Sequence, residues 1–167
     1  MSHQTSRRHF LRGGFNRPAV MRPLGALAPM TFEDTCTKCG DCARACPEGI
    51  IFRDDEGFPV VNLRRGECTF CNACVEACEP AALVAGTTWD WRAGATDQCL
   101  SKTGVQCRTC EDHCDARAIR FKLLVGGRSE PVFDRDACTG CGACAAPCPV
   151  NAIHFTHISQ PKEDSTC

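Results

Sequence analysis

The spacing of its cysteines constrains this chain more than any other feature of the sequence. The 167 residues include 17 cysteines, and sixteen of these fall into four groups of four. Three groups, here called the first, second and fourth runs, share the spacing C-x2-C-x2-C-x3-C, whereas the third group is irregular. Spacing this tight and repetitive indicates a framework that binds metal. The three runs are Cys36, Cys39, Cys42 and Cys46; Cys68, Cys71, Cys74 and Cys78; and Cys138, Cys141, Cys144 and Cys148.

Thiolates at this spacing bind 4Fe–4S clusters in bacterial ferredoxins. A disulfide framework is a poorer interpretation, because it usually has an even cysteine count, spread spacings and a secretory signal. Structural zinc sites use two C-x2-C pairs with a dozen or more residues between them, and have no use for a third ligand at the same step. A reactive thiol is an alternative only for Cys167, which stands at the last position. The sequence therefore predicts iron, bound by the grouped cysteines.

The residues around the second cysteine of each run suit a backbone loop that approaches a cluster closely. Gly40 and Gly142 follow that cysteine in the first and fourth runs, and glycine permits a left-handed backbone. Asn72 takes the same position in the second run and tolerates the same conformation. The fourth cysteine of a run follows one helical turn later, and in two-cluster ferredoxins it ligates the other cluster. We therefore expect the runs to act in pairs.

The segments after the cysteine groups repeat, and the repeat predicts the fold. Each fourth cysteine is followed by a short apolar stretch typical of a strand, and a second such stretch with proline near its start precedes the second and fourth runs. The same order recurs after about 70 residues. The sequence predicts an α+β fold of duplicated two-cluster bacterial ferredoxin-like domains, with short antiparallel strands and short helices around 4Fe–4S clusters.

Pairing by the cross-over rule gives three ligand sets directly. The fourth set is less regular, because Gly104 stands where the third group should begin, Arg108 replaces the expected glycine, and the nearest available thiol is Cys99. A labile, three-iron or empty site is the alternative there, so we predict three or four clusters. The sets are Cys36, Cys39, Cys42 and Cys78 for site A; Cys68, Cys71, Cys74 and Cys46 for site B; Cys138, Cys141, Cys144 and Cys114 for site C; and Cys99, Cys107, Cys110 and Cys148 for site D.

The same pattern divides the chain into segments. Two small domains with short elements bury little core, so we expect the clusters to supply most of the folding energy and the apoprotein to be largely disordered. The linker between them contains two tryptophans, for which inter-domain packing and a docking surface are both open. We predict a flexible basic arm over residues 1–31, a first ferredoxin-like domain over 32–86, a linker over 87–98, a second ferredoxin-like domain over 99–158 and a C-terminal tail over 159–167.

The N-terminal arm looks like a twin-arginine export signal, with Arg7 and Arg8 followed by Phe10 and Leu11. Export needs an uninterrupted apolar stretch after these residues, and here residues 16–23 include asparagine, arginine and proline. We therefore predict a cytoplasmic protein without a membrane span. The arm is either a solvated tail or a surface that binds a partner through those four residues.

Charge and composition argue against two classes of function, nucleic-acid binding and catalysis. The formal net charge is −1, and each oxidised cluster with its thiolates adds roughly two negative charges, which argues against a nucleic-acid partner. The sequence offers no paired carboxylates, no nucleophile with its base and no glycine loop for phosphates, so we predict that the protein is not an enzyme.

Taken together, these motifs resemble the NapF family, ferredoxin-type accessory proteins encoded with bacterial periplasmic nitrate reductase. The resemblance spans nearly the whole chain. It rests on the arginine arm at residues 6–13, the two regular runs near the start, the Cys99-Leu100 pair, and the irregular block at residues 107–114 that leads to Ala118-Ile119-Arg120-Phe121.

The resemblance implies a cytoplasmic protein that contacts the catalytic subunit of nitrate reductase before export and helps it to acquire or keep its iron–sulfur cluster. A polyferredoxin that relays single electrons to a reductase is the alternative function, since both functions need the same ligands.

Overall fold

Short helices and strands alternate with cysteine-bearing loops along the chain. The computed structural model describes residues 19–158, so Arg7, Arg8, Phe10, Leu11 and Cys167 lie outside the described residues. Helices of four to seven residues and strands of three to five residues are all that these segments form. In chain order the elements are α1 (Pro29–Thr35), α2 (Asp41–Ala45), β1 (Ile51–Arg53), β2 (Pro59–Val61), α3 (Ala73–Glu76), β3 (Trp91–Ala95), α4 (Thr109–Asp112), β4 (Ile119–Leu123), β5 (Ser129–Phe133) and β6 (Ile153–His157).

The strands pair into three two-stranded antiparallel sheets. β1 pairs with β2, with Phe52 opposite Val60, and β4 pairs with β5, with Phe121 opposite Pro131. These two hairpins confirm the strands predicted before the second and fourth runs. The stretch after the second run is less regular than predicted, because Leu83 forms only an isolated bridge with Ala26.

A turn after each fourth cysteine ends the cysteine-bearing segment in the same way in all four groups. The residue three positions later has a positive φ, between 51° and 61°, and its N–H donates to the carbonyl of the cysteine at 2.8–3.2 Å. The third group lacks the proline of the other three yet makes the same turn, so the left-handed residue, and not proline alone, redirects the chain. These four residues are Gly49, Ala81, Arg117 and Asn151.

The third sheet corrects the prediction of a linker over residues 87–98. Trp91–Ala95 forms β3, which pairs antiparallel with β6, the last strand of the chain's second half. Ala93 is buried and lies opposite Phe155, so this strand belongs to the core of the second half. The alternation of apolar and polar residues was too short to identify it, and its partner is about 60 residues away in sequence.

The predicted arm over residues 1–31 also ends too late, because the segment from Met21 onward packs on the first half. The carbonyl of Met21 accepts from the N–H of Val61, and α1 buries Phe32. Arg22 is only 16% exposed; its guanidinium donates to the Asp54 carboxylate at 2.6 Å and lies over the ring of Phe58. Pairing with a carboxylate and an aromatic face offsets the desolvation cost of burying this cation.

The buried residues of both halves form one continuous apolar cluster. Ile50 and Leu63 from the first half share it with Ala93, Ile119 and Ile153 from the second. The halves therefore pack on each other as well as on their own cysteine loops. No helix within residues 19–158 is long and apolar enough to cross a bilayer.

Candidate iron–sulfur sites

Left-handed residues flank the second cysteine of each regular run, as the sequence predicts for the position after it. Gly40, Asn72 and Gly142 have φ values of 84°, 62° and 93°. The residue before that cysteine is also left-handed in each run, which the sequence reading did not anticipate. Loops of this kind turn successive N–H groups toward one side and form a concavity that suits an anionic ligand. The preceding residues are Lys38, Phe70 and Gly140.

Two cavities in the first half collect the cysteines in crossed sets. The first, of about 440 Å³ including the space open to solvent, is lined by the four cysteines of predicted site A. The second, of about 410 Å³, is lined by the four cysteines of predicted site B. In each set three thiols come from one run and the last comes from the fourth position of the other run. This arrangement has the form that paired runs produce in two-cluster ferredoxins.

The apolar residues after the runs line these cavities. Leu83 borders the first cavity, and Ile50 and Ile51 border the second. All three are less than 10% exposed. An apolar wall of this kind restricts water and so influences the potential of a cluster.

In the second half, thiols of the same predicted set lie near one another, and Cys110 of predicted site D also lies near Cys144 of predicted site C. Burial, followed by charge interactions with other thiols, raises the pKa of Cys144 to about 12. Three of those neighbours, Cys141, Cys138 and Cys114, belong with it to predicted site C. Burial likewise raises the pKa of Cys110 to about 12, and Cys99 and Cys107 of predicted site D add to it. Within each set these thiols are therefore close enough to influence one another.

The third group lacks the loop geometry of the regular runs. Arg108, which follows its second cysteine, has φ −130° and ψ 13° and so is not left-handed. Its guanidinium instead pairs with Glu111 at 2.6 Å and lies over the ring of Phe121. An arginine would be strained in the left-handed region, and here it avoids that region. This group therefore offers no thiol of its own at the first ligand position.

Cys99 lies in a separate turn that follows β3. It is 9% exposed, and its carbonyl accepts from the N–H of Thr103. Ser101 is 1% exposed and fixes this turn to β5, because its hydroxyl lies 2.7 Å from the carbonyl and 2.8 Å from the hydroxyl of Ser129. The sequence reading missed Ser101, whose only signal is a lone serine among turn residues.

Backbone N–H groups also approach two of the cysteine sulfurs. The N–H of Ala118 donates to Cys114 and that of Ala152 donates to Cys148, each at 3.3 Å. Hydrogen bonds to the ligand sulfurs tune the potential of a cluster bound there. They occur at the fourth cysteine of the two groups in the second half.

The donor set suits clusters of iron and sulfide. All sixteen cysteines among residues 19–158 are free. In that part of the chain no three His, Cys, Asp or Glu side chains meet closely enough to hold one metal ion. A 4Fe–4S cluster binds each thiolate through a different iron, so its ligands lie farther apart than those of one ion, and the cavities fit it. Because burial raises the thiol pKa, to about 11 at Cys74, cluster binding must release protons.

Comparison with known proteins also indicates binding of 4Fe–4S clusters. A 4Fe-4S dicluster domain family matches the chain twice, over residues 35–82 and 105–152. The ferredoxin-type protein NapF of Escherichia coli (strain K12) is 38% identical over 161 residues, which cover 95% of this chain and 98% of that protein. NapF of Haemophilus influenzae is 40% identical over 167 residues, covering 92% and 95%.

A further relative comes from a different system. The methylamine utilization ferredoxin-type protein MauM of Methylobacillus flagellatus is 33% identical over 157 residues, covering 80% of this chain and 67% of that protein. Duplicated dicluster domains with short helices and small antiparallel sheets confirm the predicted fold, and they confirm that the protein binds several 4Fe–4S clusters.

Proposed function

Because this chain belongs to the NapF family of ferredoxin-type proteins, we propose that it is a cytoplasmic accessory protein for a periplasmic nitrate reductase. In this role it helps the catalytic subunit to acquire or keep an iron–sulfur cluster before that subunit is exported. The observation that carries the proposal is similarity to NapF over nearly the whole chain, including the irregular third group. The proposed role is not enzymatic.

We propose that sites A, B, C and D each bind one 4Fe–4S cluster through the ligand sets given above. The two cavities of the first half support sites A and B. The shared thiol surroundings of Cys144 and Cys110 support sites C and D. A bound cluster supplies one-electron redox chemistry. The chain's own residues hold the thiolates, turn N–H groups toward them and keep water away with apolar walls.

The proposed partner surface includes the N-terminal arm. Arg7, Arg8, Phe10 and Leu11 combine two cations with two apolar side chains on a protein that is otherwise acidic once loaded. We propose that these residues bind the immature catalytic subunit. The segment from Met21 onward packs on the first half, and Pro23 and Leu24 border the cavity of site B.

A polyferredoxin that relays single electrons is the second candidate. It is favoured by the packing of the two halves, which brings the cysteine loops of the second and fourth runs into contact. Its clusters would then serve as successive stops for an electron on the way to a reductase. A ferredoxin-type relative is named for methylamine utilization, so proteins of this kind also occur in another system.

A deletion strain distinguishes the two candidates. We expect nitrate reductase from this strain to contain less iron and sulfide than enzyme from the parent strain, and complementation with the intact gene to restore both. A gene carrying Arg7→Ala and Arg8→Ala tests the arm, and Arg64→Ala with Arg65→Ala is a matched control that removes two exposed arginines elsewhere.

Fully loaded nitrate reductase with slow turnover in the deletion strain would contradict the maturation role and support the electron carrier. Loaded enzyme with normal turnover would contradict both.

A further inference from the structure

The second and fourth cysteine runs meet directly where the two halves pack together. The N–H of Cys68, in the second run, donates to the carbonyl of Cys141, in the fourth run, at 2.7 Å. Cys68 is a proposed ligand of site B and Cys141 a proposed ligand of site C. One hydrogen bond therefore joins a ligand residue of one half to a ligand residue of the other.

Two tightly packed glycines keep this contact close. Gly142 is buried, and a Cβ added to it would lie 2.7 Å from the Cβ of Leu63 in the first half. Gly140 is also buried, and its carbonyl accepts from the indole N–H of Trp89 at 3.0 Å. A larger residue at position 142 would push the two runs apart.

Trp89 connects this contact to the loop of the second run. Its ring packs edge-on against Phe70, with 6.4 Å between ring centroids. The same indole therefore touches a loop of site B through its ring and a loop of site C through its N–H. Of the two open roles for the tryptophans, inter-domain packing is thus the role of Trp89.

Thiols of successive sites are also neighbours. Cys42 of site A is among the neighbours of Cys74 of site B, Cys141 of site C is a neighbour of Cys68 of site B, and Cys110 of site D is a neighbour of Cys144 of site C. The order of neighbours is A, B, C and D. Sites B and C are the inner pair, and they belong to different halves.

We infer that the contact between Cys68 and Cys141 joins the two halves into one continuous electron path, with sites in the order A, B, C, D. The inference depends on the proposed ligands of sites B and C and not on the identity of the partner protein. It goes beyond a pair of independent two-cluster domains, in which an electron entering one half would stay there.

The path needs no chemistry beyond one-electron transfer. With a cluster at each site, an electron from a low-potential one-electron reductant would enter at one end, pass from site B to site C, and leave to a one-electron acceptor at the other end. Each transfer would oxidise one site and reduce its neighbour, and no covalent bond would change. A bonded route between sites B and C runs from the sulfur of Cys68 through its backbone N–H to the carbonyl and sulfur of Cys141. Tunnelling weakens steeply with distance, so this close approach controls the transfer between halves.

Paramagnetic resonance of a chain with only the two inner sites tests the inference. The variant Cys39→Ser with Cys107→Ser removes a ligand from each outer site, and the matched control Cys71→Ser with Cys141→Ser removes a ligand from each inner site. Both are loaded anaerobically as full chains and reduced with dithionite. We expect the inner-site variant to show a broadened, split signal from two interacting spins and the control to show a simple sum of isolated signals. Two isolated signals from the inner-site variant, with iron at both sites, would overturn the inference.

A second variant keeps the test decisive if the inner-site chain loses its clusters. Trp89→Ala removes both connections of the indole while leaving all sixteen ligands in place, and Trp89→Phe keeps a ring against Phe70 but loses the N–H. We expect spin interaction in the fully reduced protein to fall most in Trp89→Ala and less in Trp89→Phe, with unchanged iron content. An identical spectrum from all three proteins would overturn the inference. Absence of iron from sites B and C would instead contradict their proposed ligand sets.

Discussion

The first run and the third group differ in how they provide three ligands for an outer site. In the first run, Cys36 and Cys39 lie on one short loop and Cys42 lies in the first turn of α2, with left-handed residues on both sides of Cys39. In the third group, Cys107 and Cys110 flank Arg108, whose backbone is not left-handed. For proposed site D, the thiol that this group lacks is assigned to Cys99, in a turn between β3 and the group.

Similar sets of thiols can therefore be positioned either by local backbone structure or by tertiary contacts. The first run needs only local backbone geometry, with left-handed Lys38 and Gly40 on either side of Cys39. The position of Cys99 depends on Ser101, which hydrogen-bonds to Ser129 on another strand. We therefore expect site D to be more sensitive than site A to changes distant from its cysteines.

We expect the largest effect from replacing the fourth cysteine of either run in the first half by serine. Cys46→Ser should empty site B, and Cys78→Ser should empty site A, with loss of about a quarter of the iron in each case if four clusters are present. Anaerobic alkylation followed by mass spectrometry identifies the newly reactive cysteines. Under cross-over, Cys46→Ser exposes the second run's cysteines and leaves Cys36 and Cys39 protected. The opposite pattern would show that each run completes its own site.

Cys99→Ser removes the proposed ligand that departs most from the regular spacing. We expect site D to be lost, with about a quarter less iron and sulfide, because no other thiol of the third group can take the first position. Cys107 and Cys110 should then become reactive toward alkylation. Cys167→Ser is the control, since this residue is not assigned to any site. Iron content equal to that of the unmodified protein would remove Cys99 from the ligand set.

Gly142→Ala tests how strictly a regular run depends on its local geometry. A left-handed alanine costs about 1–2 kcal/mol, and crowding against Leu63 adds about 1–3 kcal/mol. Gly49→Ala is the matched control, because Gly49 is also left-handed but has open space around it. We expect faster cluster loss on warming for Gly142→Ala, measured by bleaching of visible absorption. Equal rates for the two variants would mean that contact with Leu63 contributes nothing.

Ser101→Ala tests whether tertiary contacts position Cys99, and we expect a smaller effect than from the other substitutions. Its buried hydroxyl approaches two polar groups on Ser129, so its removal should destabilise the turn that bears Cys99 by about 1–2 kcal/mol. Thr103→Ala removes an exposed hydroxyl from the same turn and should change stability by less than about 0.5 kcal/mol. Release of iron to a chelator under anaerobic conditions measures the difference. Faster release from Thr103→Ala than from Ser101→Ala would contradict the role of Ser101.

Much of the fold follows from sequence because its signals are local. The spacing of the runs, the glycines after the second cysteines and the apolar stretches after the fourth identify loops and strands within a few residues. Strand β3 was missed, since Trp91–Ala95 is defined by pairing with the distant β6. Arg22 was assigned to a solvated arm because an arginine near a terminus is usually exposed, whereas here Asp54 and Phe58 make its burial favourable.

The chemistry of this protein can be read from its cysteine spacing alone. Thiols at fixed short steps can be assigned to clusters without coordinates, because chain connectivity keeps such residues together in any fold. The packing of the two halves, the turn that holds Cys99 and the contact of Cys68 with Cys141 are visible in the folded chain alone. Those features depend on packing between segments far apart in sequence, where Leu63 must fit Gly142 and Trp89 must fit both halves, and no local pattern encodes that fit.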